Sequence, residues 1–237
     1  MGKFSKVVLG KDKISRALIV AGTATTGRIR SVLNHFSNHS RVKQEFVKYC
    51  HITHDGKEAV LFFSVYGGAP TLELVHLLQD AHCKKILFVG SCYGTKPMPI
   101  GTFILPEKVI DRAGLVLLDD PAHKNCTPNP QILREIENCL QKRKYKYYKG
   151  TTAAVPCVIH NIPHVSEFVK QSNILGVEME LSTLYHFAHK ANIKTGGLVY
   201  VSDSPAVHIL ENTKKIKQAK IDALGSAVEI AKEVLFA

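Results

Sequence analysis

The sequence predicts an α/β fold in which a mainly parallel or mixed sheet is covered by helices on both faces. Three observations lead there. Short apolar runs recur without polar alternation, as strands buried on both faces require. Each run ends at small residues, where backbone has to pass close to a neighbour or a ligand. Between the runs lie stretches with apolar residues three and four apart, the spacing of an amphipathic helix. Neither a repeat nor a low-complexity linker interrupts the 237 residues, so one domain spanning 1–237 is expected.

Taken in order, Ala17 to Ala21 is the first strand, closed by Gly22, and Thr25 and Thr26 offer N-caps to a helix carrying Ile29, Val32, Leu33 and Phe36. Gly56 marks a turn into a buried strand from Ala59 to Val65. Gly67 and Gly68 then precede Pro70, which suits the first turn of a helix through Leu74 and Leu78. A third buried strand runs from Lys85 to Ser91, and Thr102 to Leu105 with Val109 and Ile110 continues the sheet. A helix from about Pro130 to Leu140, a strand near Thr151 to Val158, a helix near Val165 to Gln171 and a strand entering Leu175 to Val177 follow. Leu181, Leu184, Tyr185 and Ala188 space the next helix, Gly197 to Val201 is another strand, and Leu224, Val228, Ala231 and Leu235 give a closing amphipathic helix. In such folds ligands bind off the strand ends.

Hydrophobic content of 45% with 22% charged residues excludes a disordered or fibrous chain. No stretch approaches the roughly 18 apolar residues of a membrane span, and the N-terminus is mixed in charge rather than signal-like. Gly2 does not make a myristoylation site, because that motif wants Ser or Thr where Lys6 stands. The six cysteines are scattered, without a C-x-x-C pair or histidines at zinc spacing, so reduced thiols, no metal site and a cytoplasmic location are expected. A net charge of +11 favours an anionic partner. The segment Gln141 to Lys149 interleaves lysines with three tyrosines, which reads either as a single-strand nucleic-acid surface or as a solvated face with half-packed tyrosines. The second reading is preferred, and nucleic acid is not the expected partner.

Glu178 and Glu180 flank Met179 at a strand-to-helix junction, so they cannot both face the core, and at least one sits where the sheet edge opens. Two readings stand. A carboxylate there can accept hydrogen bonds from the neighbouring hydroxyls of a sugar with Met179 under the ring, or it answers the macrodipole of the helix that follows. Asp203, at a later strand end, reads as an acid or as a turn residue capping Ser204-Pro205.

Gly22-Thr23 with Arg28, Gly90-Ser91-Cys92, Val177-Glu178-Met179-Glu180 and Val201-Ser202-Asp203 occur in that order. From about Ala17 to Leu235 the chain resembles the nucleoside phosphorylase family of the hexameric purine and uridine type. The resemblance implies a three-layer α/β/α fold with a central mixed β-sheet. It implies a purine nucleoside phosphorylase, a pentosyltransferase that moves the sugar of a purine nucleoside onto phosphate and releases the free base. On that resemblance Glu180 holds the ribose hydroxyls, Met179 lines the sugar, Glu178 lies beside them, and Ser91 and Cys92 belong to the substrate site. Asp203 is the general acid that protonates the leaving purine. Such an acid makes physical sense, because glycosidic cleavage builds negative charge on the departing base. Val158 falls where the family has an aromatic that stacks on the base.

For phosphate the resemblance implies Gly22, Arg28 and Ser91, with Arg41 or Lys43 lent by a neighbouring subunit. A homodimer unit built into a hexamer is expected, with phosphate as co-substrate and no metal or organic cofactor. The sequence departs from the pattern at Phe88, where the family has an arginine, and no histidine stands before Gly22 to serve a neighbour's sugar. A hydrolytic nucleosidase is the rival, although its usual first-loop glutamate is absent from Gly22 to Gly27. A nucleoside-binding, storage-like protein without turnover is the third reading. Lys214, Lys215 and Lys217 fall where the family has a basic residue supporting the acid, or form a solvated helix face.

Overall fold

The computed structural model describes residues 4–22, 25–45, 47–122, 125–157, 173–205 and 213–237. Val158 and the helix expected near Val165 to Gln171 lie outside the described residues. Inside the sheet, β1 (Arg16–Ala21) is paired in parallel with β5 (Lys57–Val65) on one side and with the central β6 (Lys85–Gly94) on the other. Beyond β5 runs the antiparallel β4 (Lys48–His54), edged by the two-residue strands β2 (Asn38–His39) and β3 (Lys43–Gln44). Beyond β6 come the parallel β11 (Lys194–Asp203), the antiparallel β7 (Phe103–Asp111), then β9 (Tyr147–Ala154) and β10 (Gly176–Glu178), with β8 (Asn125–Cys126) against the end of β7.

This second half does not stay flat. β10 also pairs antiparallel with the end of β6, Gly176 opposite Gly94 and Val177 opposite Tyr93, so five strands curl into a ring. Glycine is what lets them close. A Cβ on Gly176 would stand 3.0 Å from Ile104 Cδ1 and 3.1 Å from Cys92 Sγ, and one on Gly94 would stand 3.2 Å from Val201 Cγ1.

Helices cover both faces. α1 (Phe4–Leu9), α3 (Gly68–Asp80), α4 (Leu115–Asp119) and α6 (Leu181–Lys190) lie on one; α2 (Thr26–Leu33), α5 (Pro130–Lys142) and α7 (Lys214–Phe236) lie on the other. Alternate strand residues therefore enter different cores: Ile19, Phe62 and Phe88 pack under the first layer, and Leu18, Leu61 and Val89 under the second. This is the mixed three-layer α/β/α arrangement that the strand–helix alternation and the resemblance led us to expect. Thr25 caps α2 as expected, its hydroxyl accepting from the Arg28 amide at 3.3 Å. At the C-terminal end of α7, Lys85 donates to the Val234 carbonyl at 2.8 Å and Lys57 to that of Phe236, cations where the helix dipole favours them. No described helix is long and apolar enough to cross a membrane.

α1, α4, β4 and the two-residue strands β2, β3 and β8 are absent from the sequence-based expectation, and β9 starts at Tyr147 rather than near Thr151. The basic–aromatic segment thus runs into the sheet, Tyr147 pairing with Phe103 and Tyr148 with Ile104. Tyr145 packs edge-on against Phe103 at 5.3 Å, and the Tyr147 hydroxyl donates to Glu137 at 3.1 Å. Arg143 pairs with Glu233 at 2.9 Å and Lys149 with Glu137 at 2.7 Å. Tyr145, Tyr147, Arg143 and Lys149 are thus engaged within the fold.

Close packing of α5 on β11 gives a stability test. A Cβ at Gly196 would stand 2.5 Å from Ile132 Cγ2, whereas one at Gly27, in α2, would meet nothing within 4 Å. Gly196→Ala is expected to destabilise the protein by about 1–3 kcal/mol through overpacking, and Gly27→Ala to stabilise it by about 0.5–1 kcal/mol. Urea midpoints measure both.

Candidate active site

Two register shifts aim side chains across the C-terminal ends of the central strands. Where β1 meets β5, Val20 lies opposite Phe63 but Ala21 opposite Val65, and the skipped Ser64 takes a left-handed φ of 58°. The Gly22 amide then donates to the Val65 carbonyl at 3.0 Å, and the chain swings into Tyr66 and Gly67. Where β11 meets β6, Ser202 is skipped, which leaves Asp203 opposite Tyr93. With β10 closing from the far side, these strand ends surround a cavity of about 130 Å³. It brings together the predicted Gly22, Ser91, Cys92, Glu178, Met179, Glu180 and Asp203.

The two glutamates are both buried, at 2% and 5% exposure, yet do different work. Glu178 Oε2 accepts from the amides of Glu180 and Leu181, each at 2.7 Å, which satisfies the first free N–H groups of α6. Its Oε1 has no hydrogen-bond partner among the described residues. Glu180 Oε1 accepts from the Gly67 amide at 2.7 Å, where α3 begins, and Oε2 accepts from the Met179 amide at 3.3 Å. The helix-start reading thus describes Glu178, while Glu180 hangs at the cavity on two backbone donors with lone pairs left over. Among the described residues no lysine, arginine or histidine pairs with either. Burial pushes both carboxyls well above the usual carboxylate range, and for Glu178 the Glu180 charge and then Asp111 add to it, while the amide bonds oppose.

Asp203, at the end of β11, is 5% exposed and lines the same cavity. The Ser202 hydroxyl lies 3.1 Å from its Oδ1 and 3.3 Å from the Cys92 carbonyl, and Ser204 donates to the Met98 carbonyl at 3.1 Å, pinning the strand end. Burial, then the charges of Glu178 and Asp203, push the Cys92 thiol well up, so it is a neutral wall and not a nucleophile.

At the proposed anion end, Arg28 packs on Gly22. Its guanidinium donates to the Ala21 carbonyl at 2.8 Å, and a Cβ on Gly22, whose φ is 87°, would stand 3.2 Å from Arg28 Nη1. Arg41 is exposed between β2 and β3 and is not among the residues lining this cavity. Phe88 is 1% exposed in the core, its ring lying over Gly90 with Cε1 2.7 Å from where a Cβ would be and Ala21 beside it. Lys214, Lys215 and Lys217 are exposed at the start of α7. Sequence reasoning missed Tyr66 and Tyr93, both of which line the cavity. An aromatic directly before a glycine at the end of a buried strand, Tyr66-Gly67 and Tyr93-Gly94, is the signal that marks them.

A larger hollow of about 520 Å³ lies between α4 and α6, but its Asp119 is already paired with His186 at 2.6 Å and Lys190 at 2.7 Å. No group of three or more metal-binding side chains comes together among the described residues.

The buried glutamates make stability depend on pH. A carboxyl raised in the folded state holds its proton more tightly than in the unfolded chain, so stability falls as pH rises from the ordinary carboxylate range through the raised one. Glu178→Gln keeps an oxygen for both α6 amides and removes the charge. It is expected to raise Tm at pH 8, by about 2–4 °C per kcal/mol relieved, and to leave Tm near pH 4 unchanged. Equal shifts at both pH values in calorimetry would exclude charge as the cause.

Among solved structures, the chain is similar to uridine phosphorylase from Vibrio fischeri, with a TM-score of 0.81 at 17% identity over 94% of this chain and 92% of that one. It is similar to 5′-methylthioadenosine/S-adenosyl homocysteine nucleosidase from Campylobacter jejuni, with a TM-score of 0.78 at 13% identity over 93% of this chain and 98% of that one. It is also similar to purine nucleoside phosphorylase from Toxoplasma gondii in complex with immucillin-H, with a TM-score of 0.76 at 15% identity over 92% and 90%. These likenesses concern the fold. No curated protein matches the chain in sequence. The family model described as the phosphorylase superfamily matches residues 16–235, nearly the whole sequence and every strand that borders the cavity, and the chain therefore belongs to the phosphorylase superfamily.

Proposed function

We propose that the protein cleaves the N-glycosidic bond of purine nucleosides, transferring the pentose to phosphate and releasing the base. One observation carries the reading: two buried carboxylates, Glu180 and Asp203, line one cavity from different elements. Glu180, held by backbone amides, accepts the vicinal hydroxyls of the sugar. Asp203 donates a proton to the imidazole nitrogen of the base as the bond breaks, so that the base does not leave as an anion. Cleavage leaves positive charge on the sugar, which a nearby carboxylate stabilises. Met179 packs under the ring.

Phosphate enters at the Gly22, Arg28 and Ser91 end. Arg41, away from its own cavity, fits a donor to a neighbouring subunit's site, in a homodimer built into a hexamer. Hydrolysis is the competing outcome, favoured by one feature: Phe88 fills with an apolar ring the position where the resemblance calls for a phosphate-binding arginine. The purine assignment rests on Asp203.

Inosine, adenosine, 5′-methylthioadenosine and uridine, each with and without phosphate, separate these readings. Base release from the purine substrates that requires phosphate is the expected result; release without phosphate would make the protein a nucleosidase, and binding without release would make it a carrier. Asp203→Asn is expected to lower kcat by roughly 10²–10⁴-fold, and far less on nucleosides whose base leaves readily. Glu180→Gln is expected to raise the nucleoside KM roughly ten- to hundred-fold, the loss of a charged hydrogen-bond acceptor. Phe88→Arg is expected to lower the phosphate KM by carrying a cation past Gly90 and Ala21, and its urea midpoint measures the cost of placing a guanidinium where a fully buried ring stood.

A further inference from the structure

The cavity contains an aromatic side chain with no role in the proposal above. Tyr93 sits on β6 between the two strands that carry the carboxylates: it is paired in register with Val177 of β10 on one side and with Asp203 of β11 on the other. Its side chain packs against Val155, Val177 and Met179 and remains partly exposed. Burial and then the Asp203 charge hold its hydroxyl above the usual phenol value, so the ring is neutral under any working condition. The other aromatic, Tyr66, belongs to the opposite end, since the adjoining Gly67 amide holds Glu180 and the adjoining Val65 carbonyl holds the Gly22 amide.

We propose that Tyr93 is the stacking platform for the base, the surface on which the leaving group rests while Glu180 holds the sugar and Asp203 reaches the ring. The inference rests on the nucleoside reading and adds to it the residue that supplies base affinity. A base joined to a sugar on Glu180 and protonated by Asp203 has to cross β6 between β10 and β11, and Tyr93 is the side chain at that crossing. Packing against Val155 and Val177 fixes the ring before anything binds, so little conformational freedom is lost on stacking. Because every base has a π-face, such a platform strengthens binding of purines and pyrimidines alike and leaves selection between them to edge contacts.

The test measures equilibrium binding of hypoxanthine, uracil and ribose 1-phosphate by titration calorimetry to the wild type, Tyr93→Phe and Tyr93→Leu, beside a base-release assay with inosine. Tyr93→Leu is expected to weaken both bases about tenfold or more, Tyr93→Phe to stay within about twofold of wild type, and ribose 1-phosphate affinity to be the same in all three. The proposal is overturned if Tyr93→Leu binds the bases as the wild type does, if it loses base and ribose 1-phosphate equally, or if the wild type binds neither base. The two readings separate cleanly. Base binding that depends on Tyr93 in a chain that never cleaves inosine retires the enzymatic reading and keeps this one; cleavage with Tyr93-independent binding does the reverse.

Discussion

Where β10 folds back on β6, Gly176 meets Gly94 and Val177 meets Tyr93, and the site exists because that contact closes. The closure is short, and it depends on two residues without side chains, each of which would otherwise push against Cys92, Ile104 or Val201. It places the β10–α6 junction over the end of β6 rather than at the margin of an open sheet. Glu178 and Glu180 are buried for that reason, and their burial sets the electrostatics of the cavity. Two carboxylates with no cationic partner among the described residues persist because amides at the starts of α3 and α6 point at them.

The two skipped residues, Ser64 and Ser202, complete the geometry. A regular strand points successive side chains to opposite faces, so a ligand lying across several strand ends meets only alternate residues. Skipping one residue per pairing changes the phase at the rim while leaving the buried register intact. Ala21 and Asp203 owe their positions to it. The left-handed backbone of Ser64 is a local cost carried next to the site, where such conformations gather when they position functional groups.

Much of this was legible in the sequence because it is local. The buried strands β1, β5, β6 and β11 announce themselves as unbroken apolar runs, and the small residues after them mark the rim. The segments around Met179 and Asp203, through the family resemblance, pointed to residues that the structure brings to one cavity. What was not legible is nonlocal. Nothing in the pattern near Leu175 says that β10 pairs with β6 as well as β9, and Tyr66-Gly67 and Tyr93-Gly94 mark two strand ends without showing that both tyrosines face one cavity. The strand Lys48–His54 mixes lysine, histidine and threonine with its buried positions because it lies toward the sheet edge, so it lacks the signature of the central strands. Phe88 illustrates the limit from the other side: the sequence shows an apolar residue in place of a cation, but only the structure shows the ring lying along Gly90 beside Ala21.

Glu178 and Glu180 are held by main-chain amides, and the rim of the cavity is furnished by the side chains of Tyr66 and Tyr93. These two parts differ in how they can change over evolutionary time. Any residue but proline would supply the Met179, Glu180 and Leu181 amides, whereas the Gly67 amide sits at a φ of 87° that glycine alone takes readily, so the carboxylate floor tolerates drift in side chains as long as the backbone path and that one glycine are kept. The β10–β6 pairing uses the main chain of Tyr93 and not its ring, so the side chains of both tyrosines are open to replacement one codon at a time. A scaffold divided in this way can exchange one ligand for another at its rim without rebuilding the floor that holds its charge.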